Sequence, residues 1–219
     1  LRGIRSTAAR LLPLLALALP PLALADPVDD RLAALRKGAG AGGCRVAPFT
    51  QTYIPAGFGT GRGQAGRITI DPPSRFRFDY DEPKGRAFAI DGSRLTVLDP
   101  GTKTATRRSL SDSERLRYPL FDVLAGRRPA GFRLEEKPGK SEIRIDATPI
   151  VPDDDLAWGS IALSPNGRKV RRVEWKDSEG NLNRFELGDA ARSKDCSSPL
   201  FSPAPEGWRI EGEGRGGVP

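Results

Sequence analysis

The sequence predicts a mainly β protein: an antiparallel sheet of about eleven strands curled around a helical insertion, with one helix before it. Three observations carry this. Phe76, Phe78 and Tyr80 alternate with Arg75, Arg77 and Asp79, and a period of two puts the rings on one sheet face and the charges on the other. Short strand-like runs are separated by Pro72-Pro73, Glu82-Pro83, Asp91-Gly92 and Asp99-Pro100-Gly101, turn residues at the spacing of a meander. The 219 residues include 25 Gly and 20 Pro, which favours many turns over a helical bundle. This length suits one folded domain, assigned to residues 26–210, with a frayed, disordered tail over 211–219.

Residues 1–25 read as a cleaved secretory signal peptide. Arg2, Arg5 and Arg10 precede the apolar run 11–24, and Ala23-Leu24-Ala25 offers a cleavage site before Asp26. The run is too short and too proline-broken for a comfortable bilayer span. No Cys follows the cleavage site, so a periplasmic protein without a lipid anchor is expected. Removing the segment takes three Arg and no acids, which lowers the formal charge from +7 to +4. Basic residues are scattered among acids, so no nucleic-acid partner is expected.

The next segment, 30–37, reads as a short amphipathic helix. Val28, Leu32 and Leu35 share a face, and Asp29 and Asp30 lie near the positive end of the helix dipole. Strands are expected at 44–53, 64–70, 75–80, 86–91, 94–98 and 104–108. Gly57, Gly59, Gly61 and Gly63 alternate in the first hairpin loop. A phosphate-binding loop would need Gly-Lys-Ser/Thr opening a helix, and here a strand follows. Residues 109–127 then read as two short helices joined at Tyr118-Pro119, with Ser111 or Ser113 as the cap. Strands resume at 132–136, 141–147, 158–163, 170–176 and 182–187. Three Asp residues at 153–155 sit in a loop without the oxygen-rich pattern of a calcium site, and read as a solvated turn. Cys44 and Cys196 form an even pair in an exported chain, which points to a structural disulfide.

The chain has no His. This excludes a Ser-His-Asp triad, a Cys-His dyad and the usual zinc sites. The adjacent acids Asp81-Glu82 and Glu135-Glu136 sit in a turn or on alternating strand faces, where solvation is the simpler reading. No catalytic residue, cofactor or metal is expected, and a binding or carrier function is the better class. The rings of 76–80 are then either core or the wall of an apolar cavity.

Taken together, the ordered motifs resemble the periplasmic outer-membrane lipoprotein carrier family, the LolA-like proteins. The matching residues are Phe49-Thr-Gln51, Ile68 through Pro73 to Arg75-Phe76-Arg77-Phe78 and Tyr80, Pro83, Asp91-Gly92, Leu95 and Asp99-Pro100. Pro119-Leu120-Phe121 with Leu124, and Phe201-Ser202-Pro203 with Pro205 and Gly207, complete the series. The resemblance implies an incomplete, half-open β-barrel with a helical lid over an apolar cavity. It also implies a monomeric, non-enzymatic carrier of lipoprotein acyl chains between an inner-membrane ABC transporter and an outer-membrane acceptor. Phe76, Phe78, Tyr80, Phe88 and Ile90 would line the cavity; Leu116, Leu120, Phe121 and Leu124 would form the lid. One departure stands out. Many family members carry a lid-fastening Arg where this chain has Pro72, leaving Arg75 and Arg77 as candidates for that role. The departure also admits a divergent paralogue with another lipid cargo, or a lipid-sensing or structural module.

Overall fold

A computed structural model describes residues 26–39, 43–72, 74–110, 119–152 and 156–212. The expected signal segment 1–25, the first half of the helical insertion with Leu116, the acidic turn 153–155 and residues 213–219 lie outside the described residues. So do the side chains of Leu120 and Phe121.

Helix α1 (Pro27–Ala39) opens where Asp26 accepts a hydrogen bond from the Val28 amide at 2.9 Å, the side-chain cap that an exposed helix start requires. Pro27 occupies the first turn, where its missing N–H is harmless. These two residues move the start three positions ahead of the expected one. Arg36 and Lys37 close the last turn, matching the negative end of the dipole.

The strands are β1 (Arg45–Ile54), β2 (Arg62–Asp71), β3 (Arg75–Tyr80), β4 (Ala87–Asp91), β5 (Arg94–Asp99) and β6 (Thr104–Ser109). Helix α2 (Pro119–Leu124) follows. Then come β7 (Phe132–Pro138), β8 (Ile143–Pro149), β9 (Trp158–Leu163), β10 (Val170–Lys176), β11 (Leu182–Leu187) and β12 (Ala191–Arg192). Helix α3 (Ser198–Phe201) and β13 (Arg209–Gly212) end the described chain. One sheet runs in the order β13-β6-β5-β4-β3-β2-β1-β11-β10-β9-β8-β7, with β12 beside β1. The path has two ends, β13 and β7, so the barrel is half-open, as expected.

All eleven expected strands are present within a few residues. Two more extend the sheet. β12 pairs with β1 through two residues, and β13 lies parallel to β6, the exception in an otherwise antiparallel sheet. β13 takes in Glu211 and Gly212, which were expected to belong to a frayed tail; ladder pairing with Thr106 and Arg107 orders them.

The two sheet faces are covered by different parts of the chain. On the inner face, α1 buries Val28, Leu32 and Leu35 in one cluster with Phe49, Ile68, Phe76, Phe78, Val123, Ile145, Ile161, Val173 and Phe185. That cluster runs from β3 to β8 and follows the curl of the sheet around the helix. On the outer face, the segment after Cys196 crosses β3 to β6. Phe201 is fully buried there, and Trp208 packs on Ala87, Leu98 and Ala105. The disulfide Cys44–Cys196 joins this segment to the start of β1, with Cα atoms 5.8 Å apart.

Candidate functional site

The inner face is set by register. Phe78 stands opposite Ile68 on β2 and Phe88 on β4; Phe76 stands opposite Ile70 and Ile90. Directly opposed residues share a face, so the expected cavity residues Phe76, Phe78, Phe88 and Ile90 form one patch, and Tyr80 continues it. The structure adds two rings that the sequence reading left out of the site. Phe49 meets Phe78 edge-on at 5.6 Å and Tyr80 at 5.4 Å, and Phe185 lies 5.7 Å from Phe78. Phe49 reaches across because Gly66 stands opposite it; a β-carbon at Gly66 would lie 3.0 Å from the Phe49 ring and 2.1 Å from the Asp79 carbonyl oxygen. Tyr80 donates to Gln51 Oε1 at 2.8 Å, which gives Gln51 of the Phe-Thr-Gln motif a structural task. Burial pushes the Tyr80 hydroxyl above its ordinary pKa, against the Arg86 cation that lies 4.7 Å over its ring.

With α1 seated on it, this aromatic patch is packed. Open space lies beside it, under the C-terminal ends of α1 and α2: a cavity of about 100 Å³ bounded by Leu35, Ala47, Ile70, Leu124, Val170 and Leu187. Pro72 also lines it. Ligand sites for small molecules start at about 300 Å³. A ligand of that size therefore fits there only if the helices shift from the sheet.

Besides the apolar seat of Val28, Leu32, Leu35 and Val123 in the inner cluster, a few polar contacts fasten those helices. Arg36 of α1 donates to the Gly126 carbonyl at 2.7 Å, just past the end of α2. Gly126 has φ +69, and a β-carbon there would lie 2.4 Å from Arg36 Cγ, so glycine is required on two counts. Arg128 binds Asp29 at 3.0 Å and also Asp26. Asp29, foremost, holds the Arg128 guanidinium above its ordinary pKa. The Val28 amide, foremost, and Arg128 hold the exposed Asp26 carboxyl below its own. Arg31 makes two 3.1 Å hydrogen bonds to Glu136 of β7, tying α1 to the sheet edge.

Arg75 and Arg77, the residues expected to fasten a lid, make their contacts among the described residues on the other side of the sheet. Alternation puts both on the outer face. Arg75 pairs with Asp71 and lies 4.8 Å over the Phe201 ring. Arg77 binds Asp79 at 2.6 Å and donates to the Leu200 carbonyl at 2.8 Å. They anchor the C-terminal segment. Of the expected lid residues, Leu124 is half-buried at the cavity and joins the inner cluster beside fully buried Val123. A larger cleft of about 460 Å³ on the Arg77 side is lined by Arg67, Asp79, Asp81, Lys84 and Arg86, a polar wall that suits no acyl chain.

A family model described as outer membrane lipoprotein carrier protein LolA matches residues 45–204. The chain belongs to this family. Among LolA-family relatives, an outer-membrane lipoprotein carrier protein of Methylobacillus flagellatus is 24% identical over 161 residues, 68% of this chain and 72% of the relative. One from Xanthomonas oryzae pv. oryzae is 26% identical over 164 residues, 74% and 69% of the two chains. A crystal structure of an uncharacterized conserved protein from Thermus thermophilus shares the fold, with a TM-score of 0.54 at 11% identity over 84% of this chain and 98% of that one. The match to the LolA model begins at Arg45, after α1, so the helix that covers the aromatic patch and supplies Arg36 lies ahead of the matched segment. Its Val28-Leu32-Leu35 stripe was visible in the sequence; nothing there said which surface it would cover.

Proposed function

We propose that this LolA-family protein is a periplasmic, non-enzymatic carrier that holds lipoprotein acyl chains between its inner sheet face and the α1–α2 cover. It takes them from an inner-membrane ABC transporter and delivers them to an outer-membrane acceptor. The observation that carries this reading is an aromatic and aliphatic sheet face covered by two helices that pair with no strand. Polar ties at Arg31, Arg36 and Arg128 can open without breaking a single ladder bond. Each methylene removed from water contributes roughly 0.8 kcal/mol, enough over an acyl chain to offset separation of the helices. The same rings that fill the face when it is empty would line it when it is loaded.

The test is to dilute a triacylated lipoprotein out of detergent with the protein present and then sediment. The carrier keeps the lipoprotein in the supernatant. Ala47→Phe, which fills the cavity, reduces that fraction several-fold while far-ultraviolet circular dichroism stays unchanged; overpacking is expected to cost about 1–3 kcal/mol of stability. Pelleting to the same extent with and without the wild-type protein overturns the proposal.

A further inference from the structure

We infer that the cavity takes an anionic amphiphile, with the acyl chain inside and a carboxylate or phosphate head held by Arg45, Arg192 and Arg168 at the rim. This rests on the carrier reading of the same cavity and adds the class of lipid.

The argument begins with Arg45. It stands opposite Ile70 and alternates with Ala47 and Phe49, so it lies on the inner face, half-buried, and lines the cavity. An Arg at that position in an apolar wall is costly without a counter-charge. Arg192 of β12 stands directly opposite Arg45, and like charges in that relation repel. Arg192 is held there: the Ser193 amide donates to the Cys44 carbonyl at 2.9 Å, and Cys44 is bridged to Cys196. Arg168 and Lys169 reach the same cavity from the turn after β9. That turn is pressed under the end of α1, where a β-carbon at Gly38 would lie 2.6 Å from the Arg168 carbonyl oxygen.

The carboxylates nearby are already engaged. Asp189 binds Lys169 at 2.8 Å and Arg171 at 3.4 Å, and Asp71 binds Arg75. Among the described residues, no carboxylate pairs with Arg45, Arg168 or Arg192. Arg45 and Arg168 line the apolar hole and Arg192 stands opposite Arg45 on the neighbouring strand; guanidinium groups so placed match an acyl chain that ends in an anion, since guanidinium binds carboxylate and phosphate in a two-pronged fashion.

Calorimetric titration with chain-matched probes below their micelle thresholds tests the inference. Dodecyl phosphate is expected to bind about tenfold or more tightly than the neutral octaethylene glycol dodecyl ether, with a preference that shrinks as salt rises. Inorganic phosphate alone is expected to show no comparable binding. Arg45→Gln with Arg192→Gln is expected to remove the preference, read as the ratio of the two probe affinities in the same variant. Should the double variant fail to fold, Arg192→Gln alone, at an exposed position, is expected to lower the preference several-fold. Equal affinity for the charged and neutral probes overturns the inference, as does a preference that survives these substitutions. Inorganic phosphate binding as tightly as dodecyl phosphate would mark a free-anion site and overturn it too. If the neutral ether and the lipoprotein bind but no charge preference exists, the carrier reading stands and this inference alone falls. If no acyl chain binds, both fall.

Discussion

Phe78 shows what one side chain contributes on the inner face. Its ring lies 5.6 Å from Phe49, 6.1 Å from Phe88 and 5.7 Å from Phe185, drawing on four strands. Edge-on aromatic pairs add about 0.5–1.5 kcal/mol each beyond area burial. Phe78→Glu removes the ring and leaves a carboxylate among the remaining ones. The loss expected from the ring alone is about 3–5 kcal/mol, and the charge adds to it. Phe78→Leu keeps an apolar filling and is expected to lose far less. Urea unfolding followed by circular dichroism checks both; a Glu variant with the wild-type midpoint would mean that this face is hydrated rather than packed. The alternation in β3 made Phe76, Phe78 and Tyr80 legible in the sequence as one face. The partners Phe49 and Phe185 were not, because they come from β1 and β11, and only the curl of the sheet brings them over β3. The outer-face task of Arg75 and Arg77 was hidden for the same reason: the alternation gave their side of the sheet, and nothing local showed that the C-terminal segment would cross it.

At the scale of elements, the proposed carrier function requires the α1–α2 cover to separate from the sheet. Helix α2 has six residues, too few to be stable by itself, and it depends on its seat against α1 and the sheet. Gly126→Ala forces a β-carbon into Arg36 and strains a left-handed backbone. Alanine at such a position destabilises locally by about 1 kcal/mol or more. Amide exchange over 119–126 is expected to be faster than over β3 and β4 in the free protein, to quicken further about fivefold in Gly126→Ala, and to slow when an acyl chain is bound. Equal protection of α2 and the central strands would argue against an opening cover. Regular elements were well marked in the sequence, since turn residues bracket each long strand. β12 and α3 were not marked. Two residues show no period, and Ser198–Phe201 is helical by virtue of the face that Phe201 fills. The tie between α1 and the end of α2 was also unreadable: Arg36 donates to a backbone carbonyl 90 residues away, a contact with no sequence signature.

For the whole molecule, the division of labour between the two sheet faces gives the disulfide a defined role. Cys44–Cys196 spans 152 positions, and the chain-entropy model gives closure of such a loop about 5 kcal/mol, with roughly 2–5 kcal/mol typical of native bridges. The bond lies at the outer-face segment and at the base of β12, away from the aromatic patch. Reduction is therefore expected to release the strap that Arg75, Arg77 and Arg107 hold by Phe201, Leu200, Ser202 and Pro203, while the sheet and its inner face persist. The tryptophans are Trp158, Trp175 and Trp208; with the first two changed to Phe, Trp208 reports the strap through a red-shifted emission on reduction. Binding of a neutral twelve-carbon amphiphile should survive, because the proposed acyl-chain site is on the opposite face. Selectivity for an anionic head should weaken, because β12 loses the bridge that keeps Arg192 beside Arg45. A reduced protein that keeps its strand circular dichroism but binds no acyl chain would show that the two faces are coupled. One that keeps full anionic selectivity would show that the β1–β12 ladder positions Arg192 without the disulfide.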